Sequence, residues 1–269
     1  MSLTARNVQR IPLHGPEGFA AMRKAGQAGA ELLDFLTPYV KPGVTTGEID
    51  DLAVQWAKER GLTHGPFGYK GYPRSLCISI NHVVCHGIPG PKKLEDGDIA
   101  NIDVTPIVDG WYGDTSRMFL VGKPSVKAQK LVEVTYECLM RAIDIVRPGV
   151  RLGDIGHVIQ TYAEAQRFSV VRDFCGHGVG TIFHCPPSVL HFGEPNTGDV
   201  LDEGMIFTIE PMINAGRPET KILQDGWTAV TRDRSLSAQF EHAIGVTADG
   251  CEIFTLSPKG WHCPPYDGA

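Results

Sequence analysis

Two pairs of segments decide the fold: PGVTTGEI at 42–49 with PGVRLGDI at 148–155, and LEDGDIANID at 94–103 with LDEGMIFTIE at 201–210. The first pair is offset by 106 residues and the second by 107. Two chance matches would not share a separation, so the chain reads as a duplicated unit. The plain alternative is convergence of helix-stop signals, because Pro-Gly often follows a helix. It leaves the shared offset unexplained.

The flanking patterns agree with duplication. Before the first Pro-Gly-Val, Met22, Ala25, Gly29, Leu32, Leu33 and Leu36 fall on one helical face. Before the second, Ala128, Leu131, Val132, Leu139, Ala142, Ile143 and Val146 do the same. A further helix is expected after each, and Thr45 and Glu48 have capping-box spacing. Each half then runs into strand-like segments. The period is far too long for a solenoid. Two related halves of two helices plus antiparallel strands would pack into one pseudo-symmetric domain with a cleft between them.

Composition narrows the function classes. The chain has 269 residues, 42% of them hydrophobic, which excludes a disordered chain. Lys and Arg number 25 against 31 Asp and Glu, a net charge of −6. That balance argues against nucleic acid or an anionic membrane as partner. No apolar run reaches the length of a membrane span. Residues 1–10 hold Arg6 and Arg10 but no apolar core of a secretory signal. A short organellar address there is the lesser reading. The seven cysteines are odd in number and form no C-x-x-C pair. Reduced thiols in a cytoplasm are the simplest expectation.

The repeat aligns Asp103 with Glu210, each closing an apolar run (Ile99–Ile102 and Met205–Ile209). A carboxylate ending a buried strand is costly unless it is paired or bound to metal. Asp109-Gly110 is a two-residue hairpin signal. With those as the turn, Thr105 faces Asp114 and Asp103 faces Ser116. Asp103 and Asp114 then become diagonal neighbours on one face. Pro106 predicts an edge or bulge in this hairpin. Taken alone, Asp114 could cap a turn and Asp103 could be solvated; the apolar flanks and the repeat favour metal ligands. The second half adds His177 between glycines in DFCGHGVGTIFH (173–184), His184 seven residues later, and Glu241 in AQFEHAIG (238–245). Two Asp, two Glu and one or more His form a set suited to Mn, Fe, Co or Zn. Four clustered carboxylates would repel one another, and two divalent ions would cancel them. Paired ions about 3.5–4 Å apart are a device for hydrolysis.

The motifs YKGYPRSLCISINHVVCHGIPG (69–90), NIDVTPIVDGWYGDTSRMF (101–119), CGHGVGTIFH (175–184), FTIEPMINAG (207–216) and DGWTAVTRDRSLSAQFEHAI (225–244) resemble the type I methionine aminopeptidases. The resemblance implies an α+β fold, the pseudo-two-fold pita-bread fold. In it an antiparallel curved sheet is covered by helices from two related halves. It implies Asp103, Asp114, His177, Glu210 and Glu241 as ligands of two divalent metal ions. Asp114 and Glu241 would bridge the ions. Asp103 would complete one, and His177 and Glu210 the other. Glu210 would also move a proton to and from the attacking water. His86 and His184 would lie beside the scissile peptide. Tyr69, Tyr72, Cys77, Phe183 and Trp227 would line the methionine pocket, an apolar, polarizable slot suited to a thioether. His82, His191 and His242 are expected to be structural or surface residues, and alternation turns His242 away from Glu241.

The implied activity is removal of the initiator methionine from nascent polypeptides, with a small second residue preferred. Two departures stand out. Pro66 is found where bacterial members often have Cys, and Cys185-Pro186-Pro187 follows His184. Only 31 residues separate Glu210 from Glu241, too few for the helical insertion of type II members. The rival readings are an Xaa-Pro peptidase of the same fold and a non-catalytic peptide- or ribosome-binding homologue. Met212-Ile213-Asn214 after Glu210-Pro211 departs from the first, and the complete ligand set from the second. The expected organisation is an extension at 1–15, one catalytic domain at 16–257 with halves of about 16–122 and 123–257, and a tail at 258–269. A monomer is expected, with transient contact to the ribosome.

Overall fold

Helices form where the apolar stripes fall. The computed structural model describes residues 11–266. It has α1 at Pro16–Leu36, α2 at Thr46–Glu59, α3 at Val126–Asp144 and α4 at Leu152–Ala165. Residues 1–10, with the segment read as a lesser candidate for an organellar address, and residues 267–269 of the tail lie outside the described residues. The Thr45 box forms: Thr45 Oγ1 accepts from the Glu48 N–H at 3.1 Å, and Glu48 Oε2 accepts from the Thr45 N–H at 2.7 Å. At α4 only half of it forms, with Asp154 Oδ2 accepting from the Arg151 N–H at 2.8 Å. Arginine offers no acceptor for the reciprocal bond.

Each helix pair covers its own antiparallel sheet. β1 (Cys77–Ile80), β2 (Ile99–Val104) and β3 (Thr115–Leu120) pair in that order. Leu32, Leu33, Ile49 and Trp56 from α1 and α2 pack on Ile78, Ile102 and Phe119 of these strands. The second sheet contains β4 (Gly176–Gly178), β5 (Cys185–Val189), β6 (Ile206–Ile209), β7 (His242–Val246) and β8 (Cys251–Ile253), in the order β5-β4-β6-β7-β8. Leu131, Leu139, Ile155 and Ile159 from α3 and α4 pack on its Phe207, Ile209 and Ile244. Each of these large side chains contributes about 1.5–3 kcal/mol by leaving water. Helix, helix and sheet thus recur in the same order, as the repeat predicts. Among the described residues no helix is long and apolar enough to cross a membrane.

The hairpin register matches the sequence reading. Asp103 pairs with Ser116, and Val108 with Trp111. Asp109 and Gly110 take φ of 50° and 83°, both positive as a tight two-residue hairpin turn requires. Pro106 breaks the ladder: β2 ends at Val104 and a short strand restarts at Pro106–Val108. The two sheets are sewn together at Glu241. Its N–H donates to Ser116 O at 3.1 Å, and its carbonyl accepts from Thr115 Oγ1 at 2.8 Å. Asn101 Nδ2 also crosses the seam, donating to Gln239 O at 2.8 Å.

Candidate active site

The seam brings the predicted ligands to one cavity of about 340 Å³, lined by Asp103, Asp114, His177, Glu210 and Glu241. Asp103 ends the inner run of the first sheet and Glu210 directly follows β6 of the second. Asp114 and Glu241 each stand just before the partner strand, β3 or β7. The tightest group is Asp114, His177 and Glu241, with one donor atom from each within 4.8 Å of the others. His177 Nε2 lies 3.4 Å from Asp114 Oδ2 and 3.6 Å from Glu210 Oε1. Its Nδ1–H donates to Gly178 O at 3.1 Å, which turns Nε2 toward the carboxylates. The glycine there is steric: a Cβ on Gly178 would lie 2.1 Å from Pro186 O.

Two residues beside these candidate ligands, Thr208 and Gln239, went unread in the sequence, and a third, His191, was expected as a structural or surface residue. Thr208 Oγ1 donates to Glu210 Oε1 at 2.9 Å and accepts from the His177 N–H at 3.0 Å. Gln239 Nε2 donates to Glu210 Oε2 at 3.1 Å. Fully buried His191 accepts the Glu210 N–H on Nε2 at 3.1 Å. Thr208 and Gln239 each stand two residues before a predicted ligand, so strand alternation was the signal available for both. His191 had none. His242 is buried away from the cavity, with Nδ1 2.8 Å from Thr255 Oγ1, as alternation predicts.

The charges are out of balance. Burial pushes the Asp103 and Glu241 carboxyls well above the usual range, and their acidic neighbours push in the same direction. Burial likewise raises Glu210, to about 7. For His177 burial acts downward, but the Asp114 hydrogen bond and the Glu210 and Asp114 charges overcome it and hold its proton to about 9. Among the described residues no lysine or arginine forms an ion pair with any of the four acids. Four clustered acids with no lysine or arginine partner, together with an imidazole, fit divalent cations.

The predicted substrate residues join the same cavity. Tyr69 packs on Phe183 and His184 at ring separations of 5.1 and 5.0 Å. Tyr72 meets Trp227 edge-on at 5.1 Å, and His86 meets it at 6.1 Å. Cys77 lines the cavity and pairs across the sheet with Asp103. Burial lowers the pKa of His184 to about 4 and lowers that of His86, so both imidazoles are neutral near pH 7. Pro66 lines the cavity, whereas Cys185 pairs with Gly178 at the start of β5.

Residues 20–248 match metallopeptidase family M24. A methionine aminopeptidase of Rickettsia prowazekii is 57% identical over 257 residues, covering 95% of this chain and 99% of the relative. The chain belongs to the methionine aminopeptidases of family M24. The Escherichia coli K12 methionine aminopeptidase is 54% identical over 248 residues, 91% of this chain and 94% of its own. The crystal structure of the Rickettsia prowazekii enzyme superposes with a TM-score of 0.91 at 56% identity, covering 92% of this chain and all of that one. An Xaa-Pro dipeptidase from Bacillus anthracis shares the fold alone. Its TM-score is 0.74 at 22% identity, over 91% of this chain and 62% of that one. The pita-bread fold expected from the sequence is the fold of this M24 chain.

Proposed function

We propose that the chain is a metallo-aminopeptidase that removes N-terminal methionine from nascent polypeptides by hydrolysis of the first peptide bond. The observation that carries the reading is one cavity in which an aromatic and thiol-lined wall adjoins four carboxylates and a histidine. Asp103, Asp114, His177, Glu210 and Glu241 would together hold two divalent ions. Mn, Fe, Co and Zn all suit these donors. Bound there, such ions would supply Lewis acidity, making water a better nucleophile near neutral pH and drawing electrons from a carbonyl.

The chain's own groups do the rest. Glu210 would take a proton from the attacking water and return it to the leaving amine. Thr208 and Gln239 hold its two oxygens in place for that exchange. Neutral His86 and His184 donate hydrogen bonds to the substrate carbonyl as negative charge develops on its oxygen. Tyr69, Tyr72, Cys77, Phe183 and Trp227 receive the methionine side chain. A bulky second residue would collide with the rim of this pocket.

We take residues 16–257 as the catalytic domain, acting as a monomer in the cytoplasm and meeting its substrates near the ribosome. The test is a peptide panel of Met-Ala-Ser, Met-Leu-Ser and Pro-Ala-Ser, with each metal added singly. Metal-dependent release of Met from the first alone supports the reading. Efficient cleavage of Met-Leu-Ser overturns the small-residue preference, and cleavage of none under any metal overturns the activity.

A further inference from the structure

α2 grips three loops of the proposed methionine pocket from a single face. Thr46, Asp50 and Ala53 are spaced by four and three residues, so they stack along one side of the helix. The Thr46 hydroxyl accepts from the Gly90 N–H at 2.9 Å, and Gly90 belongs to the loop that starts at His86. Asp50 Oδ1 accepts from the Ser75 and Leu76 N–H groups at 3.0 and 2.9 Å, directly before Cys77. Ala53 O accepts from His64 Nε2–H at 3.1 Å, two residues before Pro66.

Asp50 is the centre of this stripe. It is 2% exposed, and its other oxygen lies 3.5 Å from the Arg74 guanidinium. Ser75 and Leu76 are themselves buried, so without Asp50 their N–H groups have no water to turn to. The network continues into the pocket. The Tyr72 hydroxyl is shared between Leu76 O at 2.9 Å and Gly87 O at 3.1 Å. Gly87 follows His86, whose left-handed backbone (φ 56°) depends on its neighbours staying fixed.

We propose that Asp50 is a positioning residue for the methionine side-chain pocket, holding the loop of Tyr69 and Tyr72 and, through Tyr72, the backbone at His86. This rests on the pocket reading given under Proposed function. The candidate metal ligands stand on or beside the two sheets rather than on these three loops. Loss of Asp50 therefore acts on substrate binding and leaves metal binding alone.

The test compares Asp50→Ala, Asp50→Ser, Asp50→Asn and Thr46→Val in the full chain loaded with Mn(II). The readouts are kcat and KM on Met-Ala-Ser and Leu-Ala-Ser, bound Mn, and Tm. Asp50→Ala is expected to raise KM for Met-Ala-Ser about tenfold, the scale of one buried hydrogen bond lost. The preference for Met over Leu in kcat/KM should narrow while bound Mn is unchanged. The amide oxygen of Asp50→Asn still accepts from both N–H groups, so this variant should stay within about twofold of wild type. Thr46→Val frees only Gly90 and should give a smaller rise in KM. If Asp50→Ala does not fold, a raised KM with full Mn in Asp50→Ser, whose shorter side chain cannot hold both N–H groups, supports the proposal. Unchanged KM and preference in folded Asp50→Ala or Asp50→Ser overturns it. So does an activity loss that tracks loss of Mn. Wild-type protein that fails to cleave Met-Ala-Ser overturns the underlying pocket reading instead, before any variant is compared.

Discussion

Stripping metal from the protein should make its stability fall as pH rises. The perturbation is a chelator, followed by thermal unfolding at pH 6.5 and pH 8.5. In the metal-free site Asp103, Glu210 and Glu241 hold protons above the ordinary carboxylate range, chiefly because they are buried. His177 holds its proton to about 9 because Asp114 and Glu210 outweigh its burial. All four folded values lie above the unfolded ones. The folded chain therefore binds more protons than the unfolded chain, and stability is lost as pH rises through the folded values. The His177 contribution is complete below 6.5 and gone above about 9. Between pH 6.5 and 8.5 that loss is roughly 2 kcal/mol. Glu210 adds to it as pH passes about 7. For a chain of this size the fall in Tm is roughly 6–10 °C. With metal bound the ligands are already deprotonated, and metal binding strengthens with pH. Loaded protein should therefore hold or gain stability over the same interval. Comparing the two forms cancels the remaining groups, including buried His191 and His242, both pushed down to about 3 by burial. A metal-free Tm that is level or rises, or a loaded protein with the same downward slope, would refute the reasoning.

Glu210→Gln keeps the Thr208 bond but removes the proton acceptor and one candidate metal carboxylate; kcat on Met-Ala-Ser should fall by at least about 10²–10⁴, read by steady-state kinetics with bound Mn measured on the same samples. Gly178→Ala places a Cβ 2.1 Å from Pro186 O and 2.7 Å from Pro186 C, so β4 and β5 must part. A loss of roughly 3 kcal/mol in urea unfolding is expected, with weaker metal binding because His177 is the preceding residue. Arg117 is buried and bonds Asp34 Oδ1 and Ala30 O at 2.7 Å and Trp261 O at 2.8 Å. Arg117→Ala should cost about 3–5 kcal/mol in urea unfolding because it strands the Asp34 charge.

Much of this architecture was legible because it is local or repeated. The first helix of each pair was readable from apolar spacing, the second from its place in the repeat, and the Thr45 cap from its box. One Asp-Gly turn fixed the register that sets Asp103 against Ser116. The five ligand candidates could be listed, but their convergence depends on the seam at Glu241, where Ser116 and Thr115 meet a strand from the other half. Such long-range pairing leaves no periodic trace. The bonds of Gln239 and His191 to Glu210 were hidden for the same reason. The α2 stripe was not read in the sequence. Asp50 is an acid on a helix, ordinarily solvated, and only the fold aims it at two buried N–H groups.

The most direct test of the central claim is titration of metal-free protein with Mn(II), reading bound metal and released Met on the same samples. Two ions per chain are predicted, with activity rising as they bind, and both should be lost in Asp114→Asn and Glu241→Gln. Methionine release without metal, or full metal binding in both variants, would contradict the assignment of the centre.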